Sequence, residues 1–206
     1  MIDAITYADM LAHIEKNGLI SDTIGLLLTR PDLHTGKDIL KSLDYFHHLT
    51  GHSINFYLPG YGAYWSKQEY SDMTTVTQID GVDWSFSYKA FVEFVEALED
   101  FSKWKYSGES ELLLIPYIYG SLDYSNVGMF HLDAMLNDGT ISSVSSFMTA
   151  MSRSAKRNIQ LKSIVAKGAA RVVTKAVVEE IIDSLPKHIA KPIKRGKHYI
   201  CRNFSK

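Results

Sequence analysis

Apolar positions along the chain switch between two regimes. Over residues 6–16, Tyr7, Met10, Leu11 and Ile14 recur at the helical period of about 3.6 residues and Gly18 follows as a stop, which predicts a short helix. Thr23 to Thr29 is then a continuous apolar run of strand length, ended by Arg30-Pro31-Asp32; a run without alternation suits a strand buried on both faces. Ile39, Leu40, Leu43, Phe46 and Leu49 restore the helical period across residues 36–50, before Gly51, and Ser53 to Leu58 reads as a second strand stopped by Pro59-Gly60. Strand, helix and strand with short connections imply a parallel pair, so residues 23–58 form one βαβ unit.

A stretch rich in Gly, Ser, Thr and Asp runs from Gly60 to Asp83, with a strand at Thr74–Ile79 inside it. Residues 87–104 predict a helix with Phe91, Phe94, Val95, Leu98 and Phe101 inward. Strands Glu111–Tyr119 and Gly128–Leu136 flank the turn-rich Gly120–Asn126 and read as an antiparallel hairpin. From Ser142 the pattern is helical again, with one stripe at Val144, Phe147, Met148, Met151 and Ala155 and another at Val172, Val173, Val177, Ile181 and Leu185, ending before Pro186. The expected fold is α/β, a small mostly parallel sheet built on the βαβ unit with a later antiparallel hairpin, either thioredoxin-like or a small doubly wound sheet, followed by a basic helical segment. This gives an α/β body at 1–140, a helical arm at 141–186, and a tail at 187–206 that Pro192 and Gly196 mark as irregular and partly mobile.

Charge divides at the same place. The formal net charge of −1 over 206 residues hides 8 Lys+Arg against 20 Asp+Glu in residues 1–150, and 14 against 3 in residues 151–206, a split of −12 and +11. Such asymmetry implies a basic arm that meets an anionic partner, or two parts that neutralise each other in the fold. Aromatic residues are divided as well, since 20 of 24 lie between Tyr45 and Phe130. The single cysteine, Cys201, excludes an internal disulfide, a CxxC redox pair and a cysteine-based zinc site, which fits a reducing cytoplasm. The acidic Met1-Ile2-Asp3 start is unlike a signal peptide, and the Val/Ile/Ala-rich segment 164–182 is interrupted by Lys167, Arg171, Lys175 and Glu179, so no membrane span is expected.

Four constellations could carry chemistry. The loop after the first strand, Thr29 to Lys37, lies where open α/β sheets bind ligands, and Arg30, Thr35 and Lys37 with free backbone N–H groups could hold an anion. Thr35-Gly36-Lys37-Asp38 departs from a P-loop at both ends; the simpler reading is a helix start with Thr35 as cap and Asp38 as dipole partner. Asp44 and His48 share a helix face, and His52 joins them if the helix continues, a weak metal set without HExxH spacing. His131 and Asp133, as alternate residues of one strand, would face the same way and form an acid–base pair if that face meets the Arg30–Lys37 loop. The aromatic loop with Tyr61, Tyr64 and Trp65 could contact a partner or simply cover the sheet.

Positive charge then dominates. Arg153, Lys156 and Arg157 lead into a stripe at Lys167, Arg171 and Lys175, spaced by four and opposite the valines. The leading expectation is therefore a non-catalytic α/β interaction module or accessory subunit whose basic C-terminal segment binds a nucleic-acid backbone or an acidic protein surface, with self-association possible and no cofactor. The alternative is an enzyme that acts on a phosphorylated or nucleotide-like substrate at the loop after the first strand, using His131 and Asp133.

Overall fold

A computed structural model describes residues 2–4, 6–18, 23–50, 54–64, 68–165, 182–195 and 199–206. The element order is β1 (Ile2–Ala4), α1 (Tyr7–Asn17), β2 (Thr23–Leu28), α2 (His34–Lys41), α3 (Leu43–Thr50), β3 (Asn55–Pro59), β4 (Tyr61–Gly62), β5 (Thr74–Ile79), β6 (Val82–Phe86) and α4 (Tyr88–Phe101). It continues with β7 (Glu111–Ile118), β8 (Ser121–Leu122), a single 3-10 turn (Tyr124–Asn126), β9 (Val127–His131), α5 (Leu132–Asn137), α6 (Val144–Val165), α7 (Lys187–Arg195) and β10 (Tyr199–Arg202).

The main sheet runs in the order β1-β3-β2-β7-β9-β10. The βαβ expectation is met, because β2 and β3 pair in parallel with α2 and α3 between them. The sheet as a whole is mixed rather than mostly parallel: β1 and β2 flank β3 in parallel, whereas β7, β9 and β10 follow β2 as an antiparallel run. The antiparallel pairing of β7 with β9 follows from connection length, since the few residues between them allow no crossover. All six residues of β2 are buried, as an uninterrupted apolar run requires of a central strand. Helix α1 packs with α4, while α2 and α3 pack with α6.

Several boundaries differ from the sequence pattern. The helix expected over 36–50 is two helices that part at Ser42, whose N–H bonds to the carbonyls of Ile39 and Leu40. The long loop contains a second small sheet, β4-β6-β5. Its β5–β6 hairpin closes through Asp80 (φ 50°) and Gly81 (φ 76°), two consecutive left-handed residues of the kind that a two-residue hairpin demands. Phe101, expected inward, is 60% exposed at the end of α4, with one face stacked on Tyr7 at 5.1 Å.

The tail corrects the picture most. Instead of being irregular, it forms α7 and β10: Ile189 and Ile193, four apart, bury into the main hydrophobic cluster, and Tyr199–Arg202 pairs antiparallel with β9. Beyond it, Lys103 N–H donates to the Phe204 carbonyl and Phe204 N–H to that of Tyr124, so Phe204 is tied into the body and buried. Val144, Phe147, Met148, Met151, Ile182 and Leu185 belong to the same core as the sheet. Among the described residues, no helix is long and apolar enough to cross a membrane.

Candidate functional site

Strand direction brings four chain segments to one edge of the main sheet. The end of β2, the start of β7 and the end of β9 lie in one row, because Leu28 pairs with Glu111 and Glu111 with His131. The loop after β2 and the N-terminus of α2 rise above that row. This is the edge at which open α/β sheets place ligand sites.

A hydroxyl relay joins the segments. Thr35 Oγ1 donates to Asp133 Oδ1 at 2.9 Å, and Thr35 Oγ1 and Thr29 Oγ1 each lie within 2.7 Å of Ser110 Oγ. An ionised carboxylate only accepts, so the directions are set: Thr29 donates to Ser110, Ser110 to Thr35, and Thr35 to Asp133. The second Asp133 oxygen accepts the Ser110 N–H at 2.6 Å. Thr29, Thr35 and Ser110 are buried, and the relay ties the β2 loop, α2 and the approach to β7 onto α5.

His131 and Asp133 are therefore not partners on one strand face. The β7–β9 ladder runs out at the Glu111–His131 pair, Leu132 N–H turns to the Ser110 carbonyl, and Asp133 falls in the first turn of α5. The partner of His131 is Glu111, a residue that the sequence pattern hid. Glu111 is fully buried at the head of β7; it accepts Trp104 Nε1–H at 3.1 Å and lies 3.4 Å from His131 Nδ1. The Glu111 carboxylate raises the His131 pKa above its ordinary value, against the opposing effect of burial. A glutamate opening an apolar strand was the only signal in the sequence.

Arg30 lies above this row. Its Nη2 donates to Asp32 at 3.2 Å, and the Tyr88 hydroxyl donates to the same carboxylate at 2.8 Å. Arg30 Nε and the hydroxyls of Tyr61 and Tyr106 are buried without a hydrogen-bond partner among the described residues. Burial drives both tyrosines well above the usual phenol range.

The remaining expected residues divide as follows. Thr35 is not the cap of α2: Leu33 holds that position without a side-chain bond, and Thr35 lies inside the helix with its hydroxyl in the relay. Lys37 is exposed on α2. Of the aromatic loop, Tyr61 is core, its ring tilted against Phe86 at 4.6 Å, and Tyr64 is 88% exposed, while Trp65 lies outside the described residues. Asp44 and His48 do meet, and Asp80 joins them in place of His52, which lies outside the described residues. Arg153 is exposed, whereas the side chains of Lys156 and Arg157 and the whole Lys167, Arg171 and Lys175 stripe lie outside the description. The described basic surface is on α7, where Lys187, Lys191, Lys194 and Arg195 are exposed opposite Ile189 and Ile193. No family model matches the chain, and no curated protein or solved structure matches it significantly.

Proposed function

We propose that the chain is a non-catalytic α/β interaction module, thioredoxin-like in strand order, whose basic C-terminal segment binds an anionic partner. The observation that carries the reading is the exposed cationic face of α7. Ile189 and Ile193 anchor the helix, so Lys187, Lys191 and Arg195 are held about 6 Å apart along its axis rather than on a loose tail. Among the described residues the only ion pair of this helix is a local one, Lys194 with Asp183, which favours an external partner over neutralisation by the acidic body. A parallel β3-β2 pair followed by antiparallel β7 and β9 supports the thioredoxin-like arrangement over a doubly wound one. With one cysteine, on β10, dithiol chemistry has no place in it.

Nucleic-acid backbone is the partner to test first, and an acidic protein surface the alternative. The assay uses the full chain, because residues 182–204 contribute to the core and their removal would confound folding with binding. Affinity for duplex DNA and single-stranded RNA is followed between 50 and 200 mM salt, values at which phosphate contacts give a slope of about −0.9 per neutralised phosphate on the duplex and about −0.7 on the single strand. The combined K187A/K191A/R195A variant is expected to flatten that slope by about 3 on duplex DNA and about 2 on single-stranded RNA. No binding by the full chain at 50 mM salt, or an unchanged slope in the variant, removes the nucleic-acid reading.

Catalysis on a phosphorylated or nucleotide-like substrate is favoured by one observation only, the convergence of the β2 loop, Glu111, His131 and Asp133 at one sheet edge. Against it, both Asp133 oxygens are engaged by Thr35 and Ser110, which leaves the carboxylate a structural role.

A further inference from the structure

We infer that Asp44, His48 and Asp80 form a site for a first-row divalent cation of the zinc type. Asp44 and His48 lie one turn apart on α3, and Asp80 reaches them from the β5–β6 turn, which packs toward the same helix. His48 Nε2 is 3.1 Å from Asp80 Oδ1 and 3.9 Å from Asp44 Oδ1, and the three donor atoms all lie within 4.8 Å of one another. Two donors bound tetrahedrally to zinc at about 2.1 Å stand about 3.4 Å apart. The two histidine separations bracket that value to within about half an ångström, and the two carboxylate oxygens, within 4.8 Å of each other, would have to close on the ion. One imidazole nitrogen and two carboxylate oxygens are a donor set that zinc accepts, with a fourth position left to water.

Charge favours the cation. Two carboxylates converge on one exposed point beside a single imidazole, and a divalent ion would replace both the 3.1 Å His48–Asp80 bond and the 3.9 Å His48–Asp44 contact by metal bonds, while Asp44 Oδ1 already accepts the Asp80 N–H at 3.2 Å. The bound ion would clip the hairpin of the small sheet to α3. The inference is independent of the basic face of α7, and either can fail without the other.

The test titrates Zn2+ into the full chain by calorimetry at pH 7.5, with Co2+ absorption as a readout of coordination. One equivalent is expected at micromolar affinity, accompanied by the visible bands of tetrahedral Co2+ and a rise in Tm. H48A and D80N should each weaken that equivalent at least tenfold, with D80N preserving the turn and an acceptor for His48. H34A, which alters an exposed histidine on α2, should leave it unchanged. Absence of stoichiometric binding at 100 μM Zn2+, or an equivalent that survives H48A and D80N, overturns the site and leaves the three side chains a surface ion-pair clip.

Discussion

Replacing Glu111 tests the electrostatic design of the sheet edge. Its fully buried carboxylate holds Trp104 Nε1–H at 3.1 Å and faces His131 Nδ1 at 3.4 Å. Glu111→Ala leaves the indole N–H without an acceptor and the imidazole without its counter-charge. A hydrogen bond to a charged group contributes ~1.5–3 kcal/mol, and removing one partner of a buried pair costs ~3–5 kcal/mol, so the alanine variant should lose about 4 kcal/mol. Glu111→Gln keeps an oxygen for Trp104 but gives up the charge opposite His131, whose side chain is 23% exposed, so its loss should be smaller, about 2 kcal/mol. The pH dependence separates these contributions. The folded-state pKa of His131 is raised by Glu111, so the stability gained from the pair is fully present below the unfolded value of about 6.5 and is lost as pH rises through the folded value. Urea unfolding followed by circular dichroism should therefore show the wild type exceeding E111Q by more at pH 6 than at pH 9. A double-mutant cycle with His131→Asn should give a coupling energy that fades over the same window. Equal differences at the two pH values, or an E111Q variant as unstable as E111A, would refute the ion-pair account.

Three further expectations concern the same edge. A Cβ at Gly36 would stand 1.9 Å from the Arg30 carbonyl oxygen, a backbone atom that cannot swing aside, so Gly36→Ala should cost about 3 kcal/mol in a denaturant melt. Asp133→Ala removes the acceptor of two hydrogen bonds and should cost about 3 kcal/mol; a loss under about 1 kcal/mol would show the relay to be energetically idle. Tyr61→Phe and Tyr106→Phe delete buried hydroxyls that have no partner among the described residues, so stability should hold or rise by about 1 kcal/mol, and a clear fall in Tm for either would contradict that reading.

The parts of the fold that were legible are those in which burial wrote itself into hydrophobicity. The run Ile24 to Leu28 announced a central strand because both of its faces are covered, and Phe91, Phe94 and Leu98 announced the buried side of α4. Short or disguised elements escaped. Strand β1 has three residues, too few to show a period, and α7 sets its two isoleucines among four Lys/Arg residues and a proline, so polarity masked the face. The β5–β6 hairpin was readable in principle from Asp80-Gly81 and the alternation of Val82, Trp84 and Phe86. At the candidate site, the loop after β2 was placed correctly by topology, and the sequence could suggest His131 and Asp133. The partner of His131, Glu111, follows from strand register, and Asp133 meets Ser110 just before β7 and Thr35 on α2 only in the folded chain; no local pattern encodes these pairings. The same holds for Asp80, which reaches Asp44 and His48 from 36 and 32 positions away along the chain.

The pairing of β10 with β9 has a consequence for how the chain is made. Strand β9 gains its outer neighbour only from residues 199–202, so its edge emerges from the ribosome well before the strand that covers it, with residues 132–198 still to be synthesised. At roughly 5–20 residues per second, that interval lasts roughly 3–13 s. Throughout it the nascent sheet presents an unpaired rim bearing Val127, Met129 and Phe130, the kind of edge that recruits foreign strands. The order of translation thus leaves the outer edge of β9 without its native neighbour for several seconds of every synthesis.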